Sequence, residues 1–322
     1  MSISLSSPIY ARTYLTFYRI DSDTLALVLR QCNTLSLVRC AQSCRLFRAL
    51  VSAELRYRYF TLLRFFFGSH ANQFDELIRS FPAIISGSVA LAFLSWTDQW
   101  VPGDMDIYIS NNAYNRFTGA LEWTGLAVLE TDTGPRSPSP YRGITRVRRY
   151  VTWIGRNLDV IQSTTCNPAT PLLYFWSSVV VNFITPYGAV CVFPMNTLNH
   201  RGLVADISYS EKLVAARKKY ETRGFEFAEV DVWGPISPIT ALGDRVLSDR
   251  PILGLNFNTV WPVDACKPPL VRECQCWIIP DDAPVDITGN VPFHLSCIAI
   301  SHFTPCTPQY WSQDLTNRTH RY

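Results

Sequence analysis

The chain has 322 residues, 48% apolar and 17% charged, which leaves ample material for a buried core and excludes compositional disorder over most of its length. A net charge of +3 is too near neutral to announce a protein built to bind polyanions. That charge is uneven: residues 1–70 carry nine Arg, no Lys and three acids, whereas residues 225–322 carry six bases against eleven acids.

Residues 1–20 are Ser- and Tyr-rich without clear period and read as a loose lead-in. Residues 22–66 read as helical. Asp21, Ser22 and Asp23 offer N-caps ahead of a helix over residues 24–31. A second helix is expected from near Asn33. There Leu37, Ala41, Cys44, Phe47 and Val51 recur at three-to-four residue spacing and make one apolar stripe. Residues 53–67 continue as an aromatic-rich helix. Arg39, Arg45 and Arg48 lie off the stripe, either as a nucleic-acid contact or as the solvated side of a helical bundle. The apolar run 25–29, then Ser36-Leu37-Val38-Arg39-Cys40-Ala41 and Cys44-Arg45-Leu46-Phe47-Arg48-Ala49-Leu50, resemble an F-box. The Leu-Pro usual before its first helix is absent, and Arg19-Ile20-Asp21 stands there instead. The resemblance implies that residues 22–66 dock a ubiquitin-ligase adaptor protein.

Residues 72–80 form a short amphipathic helix that ends before Pro82. The period then changes. A strand is expected over 83–86, a helix over 89–94 and a strand over 104–110. Residues 131–140 hold three Pro, one Gly and two Ser, and read as a surface loop. Residues 143–163 hold two strands joined by a hairpin turn at Gly155-Arg156-Asn157. The most apolar stretch, 172–193, is interrupted by Asn182, Pro186 and Gly188, and its two β-rich halves read as buried strands rather than a membrane span. A helix is expected over 206–223, closed by Gly224, with its bases toward the C-terminal end. Residues 225–322 hold eleven of the 21 Pro and read as a loop-rich extension with a few strands.

Three features carry chemistry. Ile84-Ile85-Ser86-Gly87-Ser88 is a strand running through a Gly-Ser turn into a helix, where free backbone amides and a hydroxyl suit phosphate oxygens. In Gly103-Asp104-Met105-Asp106-Ile107-Tyr108-Ile109, residues two apart share a face. Asp104 and Asp106 therefore project together, while Met105, Ile107 and Ile109 face the core. Two neighbouring carboxylates repel, and a hard divalent cation is the usual compensation. Leu158-Asp159-Val160-Ile161 places a third carboxylate in a run bound for the interior, where it needs a partner. Singly, each has a plainer explanation: a common turn, a solvated strand edge, a strand-end Asp. The combination, in this order, carries the reading.

Together they resemble the nucleotidyltransferase superfamily. Gly87 and Ser88 match its Gly-Ser turn, Asp104 and Asp106 its Asp-x-Asp, and Asp159 its later carboxylate; the fifteen residues between Ser88 and Asp104 are slightly more than usual. The resemblance implies Asp104, Asp106 and Asp159 as catalytic and metal-binding residues, two Mg²⁺ or Mn²⁺ ions, and an NTP whose NMP moves to a hydroxyl acceptor such as RNA or protein. It implies that Gly87 and Ser88 grip phosphates and that Lys212, Lys218 or Lys219 adds charge to the triphosphate; the lysines equally suit a solvated helix face. Arg146 and Arg148 share a strand face, as polyanion contacts or exposed side chains. With Val179-Val180-Val181-Asn182-Phe183-Ile184 and Lys218-Lys219-Tyr220-Glu221-Thr222-Arg223-Gly224-Phe225 included, the chain is similar to fungal proteins that join an F-box-like head to such a body.

The expected class is therefore α+β: an F-box-like helical head (1–70), a nucleotidyltransferase-type mixed sheet flanked by helices (71–224) and a Pro-rich loop and β extension (225–322). The alternative is an inactive fold serving as an F-box-type substrate adaptor. The ten Cys include no CxxC pair and the N-terminus lacks a signal-peptide layout, which reads as reduced thiols in a cytoplasmic or nuclear protein, neither secreted nor in a membrane. Cys266, Cys274, Cys276, His294, Cys297, His302 and Cys306 fit no standard zinc spacing. The nine Trp lack basic interleaving and read as packing residues.

Overall fold

The computed structural model describes residues 20–98, 100–134, 143–204, 211–228 and 253–257. The lead-in, most of the loop expected over 131–140, the expected start of the helix at Asp206, nearly all of the 225–322 extension and the Cys/His group from Cys266 to Cys306 lie outside these residues.

The first three helices are set by their caps. Helix α1 (Ser22–Arg30) starts where the Thr24 N–H donates to Asp21 Oδ1 at 2.7 Å. Helix α2 (Thr34–Ser43) starts where the Ser36 N–H donates to Asn33 Oδ1 at 2.8 Å. The single stripe expected from Leu37 to Val51 is in fact two helices. Cys44 is extended, with φ −159° and ψ 169°, and caps helix α3 (Arg45–Phe67), which runs unbroken for 23 residues. A periodic pattern does not register one extended residue when the register on either side happens to match. After a 3₁₀ turn at Gly68–His70 comes α4 (Ala71–Arg79).

These helices pack directly onto the sheet region. One continuous apolar cluster joins Leu37, Leu55, Phe66 and Phe74 to Ile85, Phe93, Ile107 and Tyr150. Thr34 Oγ1 donates to the Leu94 carbonyl at 2.6 Å. Arg58, fully buried, pairs with Glu54 at 2.8 Å and donates to the carbonyls of Leu29 and Cys32. Its charge thereby ties α3 to the end of α1.

The rest is a mixed α+β body, as expected. Strand β1 (Ala83–Ser86) leads into α5 (Gly87–Leu94); β2 (Asp104–Ile109) leads to α6 (Tyr114–Trp123); then follow β3 (Ala127–Asp132), β4 (Ile144–Thr152) and β5 (Asn157–Ser163). The turn between β4 and β5 carries Gly155 at φ +78°. Asn157, expected in that turn, instead opens β5. The apolar stretch from residue 172 is not two strands. Its first part is a 3₁₀ turn (Thr170–Tyr174) and irregular chain, and its second holds β6 (Phe183–Thr185) and β7 (Gly188–Cys191). Asn182 explains the difference: buried, it donates to the Val179 carbonyl and accepts from the Val192 N–H, a local bond that competes with pairing. A short α7 (Pro194–Thr197), β8 (Arg201–Leu203), α8 (Glu211–Glu221), β9 (Glu226–Ala228) and β10 (Leu253–Asn256) complete the described elements.

Eight strands form one sheet in the order β10-β7-β6-β1-β2-β5-β4-β3, and β8 and β9 pair separately. Only β2 and β5 run parallel within the large sheet; the other neighbours are antiparallel. Helices cover one face, where Met105, Ile107, Leu158 and Val160 are fully buried. The other face is covered, among the described residues, only in part, by Leu172, Val181 and Phe175 over Tyr108 and Ile161. Among the described residues no helix is long and apolar enough to cross a membrane, and Cys32, Cys40, Cys44 and Cys191 are free thiols.

Candidate active site

The candidate site lies on that second face, where apolar cover gives way to charge. The alternation read in β2 holds: Met105, Ile107 and Ile109 are buried, and Asp104 and Asp106 stand partly exposed opposite them. Parallel pairing puts Asp106 directly beside Asp159 and Asp104 beside Asn157. Side chains paired in register share a face, so the three carboxylates share one patch. Loss of water, then the charges of Asp104 and Asp159, push the Asp106 carboxyl up to about 8, against the pull of Lys219 and Arg149. Asp106 keeps a partly exposed side chain, yet protein surrounds it closely enough for desolvation to be the largest of these effects.

The Gly-Ser turn abuts this patch. Gly87 begins α5 at φ +65°, and a Cβ there would lie 2.3 Å from Asp106 Oδ2. Ser86 does not cap the helix; its hydroxyl donates to the Asn182 carbonyl at 2.6 Å. The first amides of α5 are thus left without that partner. Ser88 is buried, with Oγ 3.4 Å from Asp104 Oδ1.

Residues flanking the site include several that sequence reasoning did not single out. Arg149 faces Asp159 across β4 and β5, and donates from Nε to Oδ1 and from Nη2 to Oδ2, both at 2.8 Å. Arg223 stacks 4.1 Å from the Trp100 ring and 5.1 Å from that of Tyr220, and the field of Asp104 acts on it. Its Nη1 is buried with no hydrogen-bond partner among the described residues. Arg149 was legible in part, since alternation places it opposite Arg146 and Arg148; which strand it meets was not. Nothing local marks Arg223.

Lys212, Lys218 and Lys219 are all exposed on α8, and Lys219 is the one whose charge figures at Asp106. Arg146 and Arg148, left open as polyanion contacts or exposed groups, are engaged internally. Both pair with Asp132, and Arg148 also donates to Thr118 Oγ1.

The donor set of three carboxylates fits a hard divalent cation. Among the described residues, however, no group of three His, Cys, Asp or Glu side chains is disposed to hold a metal ion as it stands. At Asp159 both oxygens are turned to Arg149.

No protein-family model matches the chain, and no curated protein matches it. Among solved structures, the Thermotoga maritima CCA-adding enzyme complexed with tRNA is similar at 14% identity and a TM-score of 0.36, over 53% of this chain and 42% of that one. A likeness at this level is too slight to carry a fold or an activity from one chain to the other.

Proposed function

We propose that the protein is a metal-dependent nucleotidyltransferase, moving an NMP from an NTP to a hydroxyl acceptor. The observation that carries this reading is the register of Asp106 with Asp159, with Asp104 on the same face and Gly87 against Asp106.

Asp104, Asp106 and Asp159 would hold Mg²⁺ or Mn²⁺, which when bound supplies charge to the attacking and leaving oxygens of an in-line displacement. Ser88 and the first amides of α5 bind phosphate oxygens through hydrogen bonds aimed at the carboxylate patch. Arg223, with a buried N–H that has no partner among the described residues, and Lys219 add positive charge on the flank of α8. Asp159 would take up the proton of the acceptor hydroxyl. RNA and protein hydroxyls are the acceptor classes to try first. The test is incubation with each α-labelled NTP, Mg²⁺ or Mn²⁺, and cellular RNA and protein. Transfer of label by the native chain, absent in Asp104→Ala/Asp106→Ala, is the expected result. Equal transfer by both would remove the aspartates from the mechanism.

One observation favours a second, compatible reading as an F-box-type adaptor. On α1, Leu27 and Val28 are 58% and 56% exposed, and Leu46 at the start of α3 is 53% exposed. Apolar side chains left on a short helical head suit docking to a ubiquitin-ligase adaptor protein. Leu27→Asp/Val28→Asp is expected to abolish binding to such an adaptor in pull-down without changing the melting temperature; unchanged binding would discard this reading.

A further inference from the structure

Asp106, Asp159 and Arg149 are partners in register on three neighbouring strands, β2, β5 and β4, so they form one transverse row on one face of the sheet. The row places a guanidinium beside the third carboxylate of the site. The contact is a fork, with two parallel N–H donors on two oxygens at 2.8 Å each, the strongest geometry open to this pair. Its partners differ in freedom. The Asp159 side chain is 13% exposed, whereas that of Arg149 is 49% exposed. The carboxylate is fixed by the sheet, and the guanidinium has solvent into which it can move.

We infer that Arg149 is a positioning residue that competes with a divalent cation for Asp159, and that a phosphate-bearing ligand relieves this competition by drawing the guanidinium away. The inference rests on the nucleotidyltransferase reading and concerns how its site is completed. Asp104 meets the Ser88 hydroxyl at 3.4 Å, whereas both oxygens of Asp159 are held by the guanidinium. Guanidinium matches phosphate with the same two-pronged geometry it uses for carboxylate. An incoming phosphate can therefore take Arg149 in exchange, which frees Asp159 without leaving a bare charge on either side. Arrival of the anionic ligand and assembly of the full carboxylate set become one event.

The test uses the full chain and Mn²⁺ alone, with free Mn²⁺ counted by electron paramagnetic resonance and folding checked by thermal melts. The native chain is expected to bind one Mn²⁺ more tightly than a second. Arg149→Gln is expected to tighten the second by about tenfold or more, the scale on which neighbours of ligands tune metal affinity. Arg149→Lys should fall between them, because an ammonium can approach Asp159 but cannot fork onto it. In an Asp159→Asn background the Arg149→Gln change should have no effect. Adding inorganic triphosphate to the native chain should reproduce the gain. A folded Arg149→Gln chain that binds Mn²⁺ no more tightly than native overturns the inference and leaves the nucleotidyltransferase reading standing. An equal gain in the Asp159→Asn background does the same, since it assigns Arg149 a diffuse electrostatic effect. Absence of Mn²⁺ binding in every variant overturns both. Should Arg149→Gln fail to fold, Arg149→Lys carries the comparison.

Discussion

Gly87 and Asp106 fit against each other so closely that any side chain at position 87 must displace the carboxylate: a Cβ there would be 2.3 Å from Asp106 Oδ2, and the backbone is held at φ +65°. The turn is thus shaped by the carboxylate it abuts. Gly87→Ala is expected to destabilise the protein by about 1–2 kcal/mol from the left-handed backbone alone, with a further loss as Asp106 is displaced. Urea denaturation measures the first effect. Loss of NTP-dependent thermal stabilisation at temperatures where the variant is folded measures the second. A variant of native stability and native NTP response would show that the contact is dispensable.

Arg223 lies within the field of Asp104 and carries a donor with no partner among the described residues. Its charge is held between Trp100 and Tyr220, with Nη1 buried and unpartnered among the described residues. Replacing it with Ala removes a charge-assisted contact, worth about 1.5–3 kcal/mol when made to a charged group. Nucleotide affinity read by thermal shift should fall about tenfold or more. Arg217, which pairs with Glu221 on the same helix, provides the control that should leave affinity unchanged.

Arg58 tests the join between the helical head and the body. Its side chain is 0% exposed and its pair with Glu54 lies against the carbonyls of Leu29 and Cys32. Arg58→Ala leaves the buried Glu54 carboxylate with the 3.8 Å contact of Arg30 and takes a donor from the carbonyls of Leu29 and Cys32, which costs about 3–5 kcal/mol. Chemical denaturation should show a single transition moved to lower urea. A separate early transition confined to the head would show that Arg58 joins two independently folding parts.

Asp132 governs a surface charge network and its acid response. Hydrogen bonding from Arg146 is the largest cause holding its carboxyl well below the usual range, and Arg148 contributes. The sign follows directly. A carboxyl depressed in the native state binds fewer protons than in the unfolded chain, so its contribution is present above the unfolded value of 3.8 and is lost as pH falls below it. Asp132→Asn is expected to lower the melting temperature slightly near pH 7, by the equivalent of about 1 kcal/mol or less for an exposed network. The difference should shrink progressively as pH falls below 3.8. A difference that grows on acidification would reverse the assignment.

Much of this protein was legible because its local signals are strong. The two-residue period of β2 told which way Asp104 and Asp106 face, and Met105, Ile107 and Ile109 are buried as that period requires. Asp21 and Asn33 announced helix starts through short polar side chains that cap their own backbone. The errors fell where one residue overrides a pattern. Cys44 breaks the long stripe into two helices, and Asn182 holds an apolar run out of the sheet.

The sequence by itself determined the kind of elements, the face each strand presents and which residues had the chemistry of a site, because all of these follow from neighbours along the chain. Only the tertiary structure decided which carboxylates meet. Asp106 and Asp159 come together through a parallel pairing of strands separated by α6, β3 and β4, and no local period encodes the register between them. The same register decided that Arg149 faces Asp159 while Arg146 and Arg148 turn to Asp132. Alternation could sort those three arginines into two faces. What each face would meet depended on strand order, and strand order is set by the burial of the whole sheet against the helices, a property of the chain as a whole.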